Sequence, residues 1–179
     1  HALSRARPVS GPAGNRFIEI AQSYWKKAGE RPDLFVQIDN MLQRIQRERG
    51  SGSDFVDLKT GRGGIIEAEF LVQALQMRED LWEQNLERAI DRLHQHGQMN
   101  DSEVAKLKDA YGLLRRFELV LRRYENRSVS TIPNDPDEQR KFAVRLGYHV
   151  FDAFRRDYVN ARDTIHTLYD RHITAASPL

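Results

Sequence analysis

The sequence predicts an all-α protein, a multi-helix bundle with one short extended segment near 54–58 that leads into a glycine-rich loop. Three observations predict this. Apolar residues recur at three- and four-residue spacing along most of the chain, the period of one helix face. Glycine, proline, asparagine and aspartate fall between these stripes, where helices start and stop. Only around Phe55, Val56 and Leu58 does the pattern alternate as a strand would.

Composition narrows the class further. At 179 residues the chain is long enough for one domain with a sizeable core. Its apolar content of 40% and charged content of 30% are ordinary for a helical globular protein. A formal charge of +2 creates no strong field for a polyanion, and no compact basic–aromatic patch suggests nucleic acid. The absence of cysteine excludes disulfides and thiolate metal sites and fits a reducing cytoplasm. No apolar run reaches membrane-spanning length, no signal-peptide core is visible and no internal repeat stands out.

Residues 1–14, with two prolines and two glycines, read as a linker. Arg5 and Arg7 alternate there, so an extended segment points both the same way, toward a phosphate, a neighbouring domain or solvent. Asn15 is positioned to cap a first helix to about residue 28, with Phe17, Ile18, Ala21, Tyr24 and Trp25 as its stripe and Gly29 as its stop. Pro32 and Asp33 suit the first turn of a second helix, whose apolar positions run from Leu34 to Ile45. Residues 50–53 are a Gly-Ser connection.

After the extended segment come Lys59, Gly61, Arg62, Gly63 and Gly64, and then an apolar helix over 65–77. Glycine lets the backbone take positive φ and approach another group closely. A helix start presents unpaired N–H groups and partial positive charge. The segment therefore reads either as a tight turn into a helix or as a phosphate cradle with Lys59 and Arg62 at its rim. It is neither a Walker A loop nor a dinucleotide fingerprint. Glu67 and Glu69 point roughly 200° apart on that helix and cannot serve one ligand together. Glu67 is a first-turn acid; Glu69, near the apolar face, suits a buried ion pair with an arginine, or a reach toward a metal or a neighbouring domain.

A fourth helix is expected over 81–96, ending in His94 and His96, a poor metal site without carboxylates around it. Asn100 or Asp101, with Glu103 in the first turn, opens a long fifth helix marked by Val104, Leu107, Tyr111, Leu114, Phe117 and Leu121. Arg115, Arg116, Arg122 and Arg123 alternate with this stripe, either as a solvated face with pairs such as Glu118–Arg122 or as a surface for an acidic partner. A loop over 128–136 hands over at Asp135 and Pro136 to a sixth helix that stops at Gly147. A last helix runs from about 149 to 173, so the bundle spans 15–173 and 174–179 is a tail.

The run Lys59-x-Gly61-x-Gly63-Gly64-Ile65-x-Glu67-x-Glu69-Phe70-x-Val72-Gln73 resembles the signature of the glutamine synthetase adenylyltransferase/deadenylylase family. Ala6-Arg7-Pro8-Val9, Ala110-Tyr111 with Leu114-Arg115-Arg116-Phe117-Glu118, and Thr131-Ile132-Pro133 resemble further segments of that family in the same order. The departures are Ile66 where the family has arginine, Ala68 for isoleucine, Leu119-Val120-Leu121-Arg122 for His-Arg-Leu-Gln, and Ser128-Val129-Ser130 for Gln-Thr-His.

The resemblance implies a helical accessory or regulatory domain that follows a nucleotidyltransferase domain, from the C-terminal half, in a cytoplasmic enzyme that adenylylates or deadenylylates glutamine synthetase in nitrogen regulation. It implies ATP and magnesium in the whole enzyme and neither bound tightly here. Glutamine synthetase, the PII signal protein and the upstream catalytic domain are the implied partners, with no nucleic acid or membrane among them. No catalytic or metal-binding residue is expected in this chain, because it has no Asp-x-Asp pair in a strand context of the kind the family's catalytic domain supplies; Asp135-Pro136-Asp137 has the letters but sits at a helix start. Lys59, Gly61, Arg62, Gly63 and Gly64 are the candidate phosphate contacts, and Arg5, Arg7, Glu67, Glu69, Arg115 and Arg116 the candidate interdomain contacts. The rival expectation is a protein-interaction bundle in which the glycine turn is purely structural.

Overall fold

The computed structural model describes residues 12–49, 57–125 and 134–176. They form seven α-helices: α1 (Pro12–Gly29), α2 (Leu34–Arg49), α3 (Ile65–Arg78), α4 (Leu86–Gln95), α5 (Asp101–Glu125), α6 (Pro136–Arg145) and α7 (Phe151–Tyr169). A π-helical turn, Asp170–Thr174, continues α7. The all-α expectation is met. Residues 54–56 of the extended segment lie outside the described residues, and the chain enters a turn at Leu58.

α3 is the axis of the bundle. Its apolar residues are spread around the helix and not confined to one stripe, the pattern of a helix enclosed by others. Ala68, Leu71, Val72 and Ala74 have no exposed surface, and even Gln73 and Gln76 are buried. α1, α2, α4, α5 and α7 all pack on it. Around this axis α5 and α7 form the most extensive pairing, closed at one end by α6. Phe154 sits at that junction, 4.8 Å from Phe117 and 5.5 Å from Phe142 between ring centroids. Such aromatic contacts add to the area term of burial.

Local chemistry explains the helix ends. Asn100 and Glu103 make a reciprocal capping box at α5: Glu103 N–H donates to Asn100 Oδ1 at 3.0 Å and Asn100 N–H to Glu103 Oε2 at 3.1 Å. Asp135 accepts from the N–H groups of Asp137 and Glu138 at the start of α6. Three boundaries differ from expectation. α1 starts at Pro12, three residues before Asn15, because proline suits a first helical position. α2 starts at Leu34, after a turn in which Arg31 pairs with Asp33. α4 starts at Leu86, not 81, because Asn85 accepts from Arg88 N–H and sets the cap there. Trp82 in the preceding loop packs edge-on against Trp25 of α1, 5.2 Å away. The stripe of α1 is also displaced: Ala21 and Trp25 are buried, while Phe17 and Tyr24 are exposed. No helix among the described residues is long and apolar enough to cross a membrane.

Candidate functional site

The glycine segment forms a corner between α2 and α3, and α7 is laid across it. Asp57 builds the first half. Its carboxylate accepts from the N–H groups of Lys59 at 2.8 Å and Thr60 at 3.1 Å, and from the Thr60 hydroxyl. The second half folds back on the first. Gly64 N–H donates to Gly61 O at 2.8 Å, Ile65 N–H to Leu58 O and Ile66 N–H to Lys59 O, both at 3.0 Å. Gly63 N–H donates to Glu67 Oε2 at 2.7 Å. These four amides, which an anion cradle would use, are thus engaged within the corner.

The three glycines are closely approached by neighbouring atoms. Gly63 has φ +69°, and a Cβ on it would lie 2.2 Å from the carbonyl oxygen of Arg162 in α7. A Cβ at Gly61 would lie 2.9 Å from the Arg162 guanidinium, and one at Gly64 2.7 Å from Gly61 O. Gly63 and Gly64 are buried, Lys59 is half-buried and Arg62 is exposed. Lys59 and Arg62 have no side-chain partner among the described residues.

Glu67 is the anchor beneath the corner. Its carboxylate is buried and reaches three elements: Gly63 N–H in the corner, Gln46 Nε2 of α2 at 3.0 Å and His166 Nδ1 of α7 at 2.6 Å. His166 Nε2 faces Asp170 at 3.0 Å. Arg162 completes the junction, donating from Nε to Arg62 O at 2.5 Å and from Nη1 to the Tyr158 hydroxyl at 2.7 Å. Burial pushes the Tyr158 phenol up to about 12, with Arg162 opposing it, so the hydroxyl meeting Arg162 is neutral at physiological pH.

The remaining sequence-picked residues are dispersed. Glu69 is buried on another side of α3 from Glu67 and accepts from Tyr111 Oη at 3.3 Å. Arg115 pairs with Glu118, which also receives Arg122 at 2.8 Å, the pair expected from spacing. Arg116 donates to Leu146 O at 2.7 Å and so caps the end of α6. Arg5 and Arg7 lie outside the described residues. Sequence reasoning misses Gln46, Arg162 and His166. They lie 21, 100 and 99 residues from their partners at the corner, and no local pattern marks such contacts. Among the described residues no group of three His, Cys, Asp or Glu could hold a metal ion.

The described residues thus form an all-α bundle whose buried central helix is entered through a glycine corner, and the sequence places that bundle in a known family. The family model described as PII-uridylyltransferase (GlnD) matches residues 36–173, and the chain belongs to that family. Its curated relatives are bifunctional glutamine synthetase adenylyltransferase/adenylyl-removing enzymes, in keeping with the resemblance carried by the glycine motif. The one from Stenotrophomonas maltophilia K279a is 35% identical over 174 residues, 93% of this chain and 19% of the relative. That from Hahella chejuensis is 30% identical over 172 residues, 92% and 18% respectively, and that from Acinetobacter baylyi 27% over 160 residues, 86% and 17%. The chain therefore spans less than a fifth of the length of these relatives.

Proposed function

We propose that this chain is a helical accessory domain of an ATP-dependent nucleotidyltransferase that adenylylates or deadenylylates glutamine synthetase in cytoplasmic nitrogen regulation. The observation that carries this reading is the similarity of 86–93% of the chain to enzymes bearing that name. In this reading the catalytic acids and the magnesium belong to the rest of the enzyme. The bundle stands beside a nucleotidyltransferase domain, and glutamine synthetase and a PII protein are partners of the whole molecule. ATP contact from this chain falls to side chains. The corner amides are engaged internally, whereas Lys59 and Arg62 project cations with no internal partner among the described residues.

The engaged amides also support a second reading, a non-catalytic interaction bundle whose glycine turn is purely structural. Replacing Lys59 and Arg62 together by alanine in the full-length enzyme separates the two. The first reading expects the KM for ATP to rise about tenfold or more, the worth of a lost charged hydrogen bond. An unchanged KM for ATP with altered binding of glutamine synthetase or PII favours the second.

A further inference from the structure

Between the glycine corner and α7 lies a small open depression of about 90 Å³ lined by Arg62, Val159, Arg162, Asp163 and His166. Arg62 and Arg162, from segments 100 residues apart, both line it, and Arg162 Nε–H donates to the backbone carbonyl of Arg62. Neither has a carboxylate partner among the described residues. Arg162 donates only to a backbone carbonyl and to a phenol, both neutral, and also lies 5.1 Å from the centre of the Tyr158 ring. The Arg62 side chain is exposed and has no partner among the described residues. His166 is held by Glu67 and Asp170, so it shapes the wall without adding an unpaired charge. Asp163 is the one acid lining the depression, and it forms no ion pair with either arginine.

Two arginines that line one small space, neither with a carboxylate partner among the described residues, match a compact, multiply charged oxyanion, because planar guanidinium forks bind such oxygens in pairs. The volume suits a phosphoryl group rather than a base and sugar. We propose that this depression is a subsite for a phosphoryl group, bound by the side chains of Arg62 and Arg162 rather than by the helix N-terminus. The proposal deepens the nucleotidyltransferase reading and rests on it for the origin of the phosphoryl group. The Asp163 carboxylate in the lining opposes anion binding by like-charge repulsion.

The test is a titration of the ¹⁵N-labelled 179-residue chain with inorganic phosphate, pyrophosphate and ATP at constant ionic strength, following the arginine Nε–Hε signals. Saturable shifts of the Arg62 and Arg162 signals are expected. Arg62→Gln should weaken binding about tenfold. Asp163→Asn, which breaks no contact of the fold, should tighten it severalfold. Saturation by phosphate and pyrophosphate but not ATP upholds the subsite and assigns it to the free anion. Saturation by ATP assigns it to the nucleotide. Shifts reproduced by sodium chloride, or an unchanged affinity in both variants, overturn the proposal. That failure leaves the domain assignment standing, since the latter is tested by the KM for ATP of the full-length enzyme.

Discussion

Glu67 and His166 meet across 99 residues of sequence, with the imidazole Nδ1 2.6 Å from Glu67 Oε1. The contact joins the first turn of the central helix to the last turns of α7. The same carboxylate also holds Gly63 N–H and Gln46. Glu67→Ala strands these groups around a buried gap and should cost about 3–5 kcal/mol, the scale for breaking a buried charged network. Glu67→Gln keeps the shape and part of the hydrogen bonding, and should cost about 1–3 kcal/mol. Urea unfolding of both variants measures the difference. Equal losses would mean that the site needs the charge and not the shape.

Two glycines with nearly the same φ separate strain from crowding. Gly63 has φ +69°, and a methyl group added there would stand 2.2 Å from the α7 backbone, whereas Gly97 has φ +72° and nothing within 4 Å of that position. Gly97→Ala should cost about 1–2 kcal/mol, the left-handed penalty for an L-residue. Gly63→Ala adds displacement of α7 and should cost about 1–3 kcal/mol more. Thermal unfolding of the two variants checks the gap, which vanishes if α7 does not press on the corner.

How far the sequence reveals this depends on the range over which each feature is encoded. Helix ends are legible where one residue type acts on a neighbour three or four positions away. Asn100 with Glu103 and Asp135 with Pro136 mark the starts of α5 and α6 because the cap and its target are local. The start of α4 is harder to place because Leu81 and Trp82 extend its apolar stripe, although they pack in a loop ahead of the Asn85 cap. At the corner, the glycines are visible but their reason is not. Positive φ and close approach suggest a ligand, yet the approaching group is the backbone of Arg162. Of the candidate set, Lys59 and Arg62 project cations from the corner, while Glu67 turns inward to hold it. A contact spanning 100 residues leaves no periodic trace, so Arg162 and His166 emerge only from the fold.

Glu118 is a buried acid served by two arginines of its own helix. Either Arg115→Ala or Arg122→Ala leaves one cation in place and should cost about 1 kcal/mol or less. Removing both leaves a buried carboxylate without either cation, and the loss should reach about 3–5 kcal/mol, well beyond the sum. A double-mutant cycle in urea reads the coupling directly. Additive losses would show that solvent, not the second arginine, satisfies Glu118.

Glu103 gives the bundle a defined response to acid. Burial alone would raise its carboxyl pKa, but the Asn100 N–H, Arg171 at 2.7 Å and His172 at 3.2 Å outweigh burial and hold it below the ordinary glutamate value. A group whose pKa is depressed on folding binds fewer protons folded than unfolded. Its stabilisation is therefore complete above the unfolded value near 4.5 and is lost as pH falls through the lower, folded value. Because Arg171 and His172 belong to the π-helical turn, protonation of Glu103 should loosen that turn from the start of α5 first. Glu103→Gln should lower stability at neutral pH and flatten the dependence of stability on pH below about 4.5, which urea unfolding across acidic pH would register. A variant that keeps the wild-type acid slope would show that another carboxylate sets it.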